Sequence, residues 1–187
     1  MRTVSALLPT KVFLTRGLGR HREKLVSFEE SLRAAGISPF NLVRVSSIFP
    51  PRARFVGRAA GLRLLRPGQI LFVVLSENAT DEPGALVTAS IGAAVPDDPR
   101  RFGYLAEHAD TGKSAAETGR HTEYLAAEML ATKLGARLTG PGPGRPGRPF
   151  RVSNGLRLET RHATQAAKGA SGLWTTAVAA AVLIVEP

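Results

Sequence analysis

A chain of 187 residues with 43% hydrophobic content is long enough to bury a real core in one globular domain, which argues against a disordered protein. With no cysteine, it has neither a disulfide framework nor a thiolate metal site or nucleophile. The net charge is +10, but Lys and Arg outnumber acids 13 to 3 over residues 1–66, fall to 5 against 10 over residues 67–136 and return to 7 against 2 beyond. The basicity is therefore spread out, and aromatic residues to stack bases are few, so nucleic acid is not the expected partner.

The N-terminus has a short apolar stretch broken by Pro9 and Lys11, which falls short of a secretory signal. The apolar run from Thr175 to Val185 is 11 residues, about half a membrane span. A cytoplasmic protein with no membrane association is expected.

In chain order, residues 4–14 read as a bent or edge strand around Pro9. Ser27 with Glu30 predicts a capping box opening a helix over Phe28–Ala35, with Leu25 stapling its entry and Gly36 as its C′ glycine. Phe40–Ile48 alternates as a strand that stops at Ser46-Ser47 before Pro50-Pro51. Ile70–Leu75 is a short apolar run suited to a strand buried on both faces, ended by an acidic turn over Glu77–Gly84. From Ala85 to Val95 the odd positions are Ala or aliphatic and the even ones include Thr88, Ser90 and Gly92, which predicts a long strand. Phe102–Ala109 follows as a strand carrying Glu107. Ser114 with Glu117 predicts a second capping box and a helix through Leu134, released at Gly135. Prolines and glycines alternate over residues 140–149, so a surface loop or hinge is expected there. Strands over Leu156–Ala163 and Trp174–Val185 complete an α/β or α+β sandwich in a single domain, 1–187.

Several motifs are incomplete. Asp110–Ser114 (DTGKS) ends like a phosphate-binding loop, but its first glycine is replaced by Glu107. His121 and Glu123 have no cysteine pair to complete a metal signature, and the four histidines show no ligand spacing, so no metal site is expected.

The stretch Asn41–Pro51, NLVRVSSIFPP, carries the strongest signal. It closely resembles the self-cleavage site of pyruvoyl-dependent arginine decarboxylases: Asn, an apolar-Arg-apolar triplet, Ser-Ser, then Pro-Pro. The resemblance continues in PTKVFL (9–14), LVSFEESLRAAGI (25–37), GALVTASIGAAVP (84–96) and FGYLAEH (102–108). It implies that the Ser47 hydroxyl attacks the Ser46 carbonyl to give an ester. Elimination then leaves a small (β) chain, 1–46, and a large (α) chain, 47–187, whose first residue is a covalent pyruvoyl group derived from Ser47. That ketone condenses with a substrate amine and serves as an electron sink for decarboxylation.

The resemblance also assigns roles. Asn41 matches the asparagine that stabilises charge at the cleavage site. Glu107 matches the catalytic glutamate, and Tyr104, Leu105 and Ala106 suggest an apolar setting suited to a proton donor. Leu25 and Leu105 match residues lining the substrate pocket. Glu29 stands where the family has an aspartate that binds the cationic end of the substrate. It keeps the charge but reaches one methylene further, so arginine to agmatine is the expected reaction, with ornithine or lysine as alternatives. The implied fold is a four-layer αββα sandwich, self-cleaved into two chains. The implied assembly is a trimer, or dimer of trimers, of cleaved pairs with sites between neighbouring subunits. The charge alone leaves one competing reading, an unprocessed basic nucleic-acid-binding protein.

Overall fold

The computed structural model describes residues 7–139 and 150–186. In chain order the elements are β1 (Lys11–His21), α1 (Lys24–Ala35), β2 (Asn41–Arg44), β3 (Ile48–Phe49), β4 (Arg54–Phe55), α2 (Arg58–Leu62) and β5 (Ile70–Thr80). They continue as β6 (Leu86–Pro96), β7 (Gly103–Thr111), α3 (Ala115–Lys133), β8 (Leu138–Thr139), β9 (Phe150–Val152), β10 (Arg157–Lys168) and β11 (Trp174–Ile184). This is a mixed α/β fold in which sheets dominate.

The strands form a five-stranded sheet, β2-β5-β11-β1-β4, and a six-stranded sheet, β3-β7-β6-β10-β9-β8. The period-two pattern decides what each face meets. Val87, Ala89, Ile91 and Ala93 of β6 meet Ala177, Ala179, Ala181 and Leu183 of β11 in a core shared by both sheets. The other faces of the same strands pack elsewhere. Val178, Ala180 and Val182 join Phe13, Leu32 and Ala35 in a core with α1. Ala94 joins Tyr104, Ala106, Ala126 and Leu130 in a core with α3. Both strands are thus buried on two faces, which is why they are runs of Ala and Val.

Helix α1 lies unusually close to β1. A Cβ at Gly17 would meet the Ser31 carbonyl at 2.0 Å, and one at Gly19 would meet the Ser27 carbonyl at 1.9 Å, so only glycine fits at either position. The same packing corrects the expected helix start. α1 begins at Lys24 rather than Phe28, and Ser27 is inside the helix, not at its cap. The Ser27 hydroxyl donates to the Lys24 carbonyl at 2.7 Å and lies 2.6 Å from Thr176 Oγ1. Leu25 is 78% exposed in the first turn and staples nothing. Gly36 does take the left-handed conformation, with φ 79°. The second box forms as expected, with the Ser114 hydroxyl and Glu117 carboxylate each meeting the other's backbone N–H.

Four further expectations are adjusted. The first strand runs on to His21, while residues 4–6 and the 140–149 loop lie outside the described residues. The apolar run at Ile70 continues as strand through Thr80, because Glu77–Thr80 pair with β11. β10 likewise runs to Lys168, beyond the expected end at Ala163. Finally, the single strand expected over Phe40–Ile48 is two strands, β2 and β3, in different sheets. No helix among the described residues is long and apolar enough to cross a membrane.

Candidate active site

Ser46 and Ser47 form the link by which the chain leaves one sheet and enters the other. β2 is the edge strand of the five-stranded sheet, parallel to β5, and its last rung is the Val45 N–H donating to the Val73 carbonyl at 2.9 Å. β3 is the edge strand of the six-stranded sheet, antiparallel to β7. Between them the Leu105 N–H donates to the Ser47 carbonyl at 2.7 Å, and the Ile48 N–H donates to the Ser46 carbonyl at 3.1 Å. The carbonyl of the Ser46–Ser47 peptide bond is therefore already polarised by a backbone donor, one that the sequence reading did not single out. Ser46 is exposed and Ser47 half-buried.

The register of β3 on β7 pairs Ile48 with Tyr104. One step further it sets Ser47 opposite Leu105, and Glu107 follows two residues along on the same face. Such diagonal neighbours lie about 7–8 Å apart, within reach of a glutamate side chain. Leu105 itself is fully buried in the core between the sheets. Glu107 is exposed at the rim, whereas Tyr104 and Ala106 point the other way into the α3 core. Of the apolar surroundings expected for Glu107, Tyr104 and Ala106 are therefore on the opposite face of its strand, and only Leu105 shares its own.

The remaining candidates lie elsewhere. Asn41 opens β2, five residues before Ser46, a span of about 16 Å in an extended strand. Its Nδ2 donates to the Gly68 carbonyl at 2.8 Å, tying β2 to the turn that leads into β5. Leu25 and Glu29 sit one turn apart on α1, with Glu29 Oε1 3.7 Å from Arg33 Nη2. α1 packs on β1 and β11, on the side of the five-stranded sheet away from β7. Within one chain, then, Ser46, Ser47, Leu105 and Glu107 come together, while the exposed Leu25 and half-buried Glu29 form a separate face.

Charged neighbours frame the first group. Arg44 Nη2 lies 2.5 Å from Glu77 Oε2 on the outer side of β2 and β5. Beyond Glu107, a hydrogen bond from Lys113, reinforced by His108, holds the Asp110 carboxyl below the usual aspartate range. Glu123, expected as plain helix surface, is engaged: Oε1 lies 2.6 Å from His162 Nδ1, and Oε2 accepts from the Thr160 hydroxyl at 3.0 Å, latching α3 to β10. Among the described residues no group of three or more His, Asp or Glu side chains is arranged to hold a metal ion.

The structure thus sets a serine pair at a strand crossing, with a carboxylate on the adjoining strand. Residues 11–186 match the family model described as pyruvoyl-dependent arginine decarboxylase. A "Probable pyruvoyl-dependent arginine decarboxylase" of Chlorobium limicola is 45% identical over 96% of this chain and 99% of its own length. The pyruvoyl-dependent arginine decarboxylase of Nitrosopumilus maritimus is 44% identical over 96% and 98%, and that of Methanococcoides burtonii 42% identical over 96% and 100%. The chain belongs to the pyruvoyl-dependent arginine decarboxylase family, whose members are carboxy-lyases with a covalently bound pyruvoyl group.

The crossing fits that group. Ile48 and Phe49, directly after Ser47, are paired to β7, and Phe49 is 1% exposed. A chain beginning at residue 47 would keep its first residue fixed by these contacts.

Proposed function

We propose that this chain cuts itself between Ser46 and Ser47 and then, as chains 1–46 and 47–187, converts L-arginine to agmatine and carbon dioxide in the cytoplasm. The observation that carries this is the position of the serine pair at the exposed crossing between two sheet edges, beside the strand bearing Glu107. In the cleavage, the Ser47 hydroxyl attacks the Ser46 carbonyl. A C–O bond forms, the C–N bond breaks, and the hydroxyl proton passes to the freed amine. The Ile48 N–H is in place to stabilise the negative charge that builds on that carbonyl oxygen. β-Elimination then releases residue 46 as a carboxylate and leaves residue 47 as a dehydroalanine, which tautomerises to an imine; water adds to that imine and ammonia leaves, giving the pyruvoyl group. When formed, that group supplies an electron sink that lets carbon dioxide leave without a free carbanion.

The protein's own residues do the rest. Glu107 delivers a proton to the substrate α-carbon once carbon dioxide has left. Leu105 closes the inner wall behind Ser47, and Asn41 contributes by fixing β2 in register on β5. The exposed Leu25 and the half-buried Glu29 belong to a site on a neighbouring copy, where Leu25 covers the aliphatic part of the substrate and Glu29 pairs with its guanidinium. A head-to-tail contact of this kind closes into a ring, here a trimer of cleaved pairs. We read α1, the two sheets and α3 as the four layers of an αββα sandwich forming one domain. The small chain stays bound after cleavage because β1 pairs with β11 over its whole length and buries Val12 and Phe13.

Denaturing mass spectrometry of the purified protein tests the cleavage. Two chains meeting between Ser46 and Ser47 are expected, and a persistently intact 19.8 kDa chain would overturn the reading. Carbon dioxide release from arginine, ornithine, lysine and glutamate tests the substrate. Arginine should be turned over fastest, and equal activity on glutamate would refute the role of Glu29.

A further inference from the structure

We infer that Ser76 and Asn78 of β5 are positioning residues that set Glu107 against the Ser46–Ser47 crossing, a role that rests on the part given to Glu107 above. The inward positions of β5 run Phe72, Val74, Ser76, Asn78. The first two join the core between the sheets. The next two are polar, and they are the ones that reach β7.

Ser76 is only 4% exposed, yet its hydroxyl is fully used. It donates to the His108 carbonyl at 2.7 Å and accepts from the Ser90 N–H at 3.3 Å. Ser90 and His108 are cross-strand partners of β6 and β7, so the hydroxyl sits between a donor and an acceptor that face each other. Asn78 Nδ2 donates to the Asp110 carbonyl at 2.8 Å. The carbonyls one and three residues beyond Glu107 are therefore both pinned from β5.

The same strand also holds the other reacting segment. On its outer face Glu77 pairs with Arg44, and the Val73 carbonyl accepts from the Val45 N–H, the last rung before Ser46. Three consecutive residues, Ser76, Glu77 and Asn78, thus tie the strand entering the cleavage site and the strand bearing Glu107 to one ruler. Packing does not require this chemistry. A buried hydroxyl or amide costs free energy unless it is bonded, and alanine or valine would fill the core without that obligation. What the polar pair adds is a fixed height for β7 relative to β2. A displacement of about 1 Å in a reacting group can cost up to about 100-fold in rate.

The test compares Ser76→Thr with Ser76→Val, which have nearly the same volume and differ in the hydroxyl, alongside Asn78→Ala and Glu107→Gln, all in the full-length protein. Processing is followed by denaturing mass spectrometry, and kcat and KM for arginine are measured on the processed fraction. Ser76→Val and Asn78→Ala should process more slowly and lose about tenfold in kcat, with KM held within about twofold. Ser76→Thr should recover most of that loss. If neither Ser76 variant folds, Asn78→Ala alone decides, because Asn78 is only half-buried. Equal kcat for Ser76→Thr and Ser76→Val, with Asn78→Ala at the wild-type value and Glu107→Gln inactive, would overturn the positioning role and leave the role of Glu107 standing. Full turnover by Glu107→Gln would overturn both.

Discussion

The two flanks of the sheet pair are joined in different ways. On one flank the chain itself crosses between sheets at Ser46-Ser47, assisted by the Ser76 and Asn78 side chains. On the other, β1 and β10 run side by side and arginines make the connection. Arg16 Nη1 donates to the Thr164 carbonyl at 2.8 Å, Arg20 Nη2 donates to the Lys168 carbonyl at 3.2 Å, and the Arg161 guanidinium lies 4.8 Å from the centre of the Phe55 ring. The difference teaches which joint the molecule can lose. The covalent joint sits at the edge strands and is the one proposed to carry the chemistry, whereas the sheets are also attached through a shared core and through side chains that a cut at the joint would leave intact. A cut at residue 46 is therefore expected to change the active-site flank without opening the sandwich.

The largest effect should come from breaking that asymmetry at its source. Ser47→Ala removes the attacking hydroxyl, so the chain should stay at its intact 19.8 kDa and release no carbon dioxide from arginine. Its thermal midpoint should stay close to that of the processed protein. Two chains from Ser47→Ala would show that the crossing is not where the backbone opens.

Much of this frame was legible in the sequence. The period-two run over Ala85–Val95 gave β6, and the box at Ser114 and Glu117 gave the start of α3, because both signals are local and both partners lie within one element. The crossing was not legible. The alternation of Phe40–Ile48 continues through Ser46 and Ser47, and nothing local tells that β5 claims the first half and β7 the second. The box at Ser27 and Glu30 misled for a related reason. Ser27 is small because α1 rests against Gly19 of β1, and its hydroxyl finds Thr176 across the sheet rather than a helix terminus. The pairing of Gly17 and Gly19 with Ser27 and Ser31 was the available signal, two small-residue faces meeting, but it joins elements that only the fold brings together. Glu107 was found by its motif, not its environment, since Tyr104 and Ala106 face away from it.

Next in size is Glu29→Gln, which tests whether the α1 face completes a neighbour's crossing flank. Losing one charged partner for a guanidinium should raise KM for arginine about tenfold or more, with kcat changed less. The sharper experiment mixes Glu29→Gln and Glu107→Gln chains. If each site draws Glu107 from one copy and Glu29 from the next, mixed oligomers contain some sites with both carboxylates intact and regain activity that neither variant has alone. Failure of mixing to restore any activity would confine each site to one copy.

The arginine flank should respond in stability and not in chemistry. Arg16 and Arg20 are exposed, and each donates one hydrogen bond to a backbone carbonyl of β10. Replacing both with methionine should cost about 1–3 kcal/mol, at about 0.5–1.5 kcal/mol for each bond, seen as a lower denaturation midpoint. The rate of cleavage and kcat per processed chain should stay at their wild-type values. A matching fall in kcat would mean that the two flanks are coupled through the sheets.

The smallest effect supplies the baseline for all of these, because α3 lies on neither flank. Ser114→Ala removes a cap whose hydroxyl donates to Glu117 at 2.6 Å, and it should cost about 1 kcal/mol of stability with no change in cleavage or kcat. Its pH dependence identifies the source. The Ser114 hydroxyl, and after it the Ser114 backbone N–H, hold the Glu117 carboxyl below its usual range. A lowered folded value means that the contribution is present above the ordinary glutamate range and is lost as pH falls through the lowered value. The difference in midpoint between wild type and Ser114→Ala should therefore be largest near neutral pH and narrow on acidification. A difference that stays constant down to acid pH would show that the hydroxyl acts through the Glu117 N–H alone and that its own bond to the Glu117 carboxylate contributes nothing.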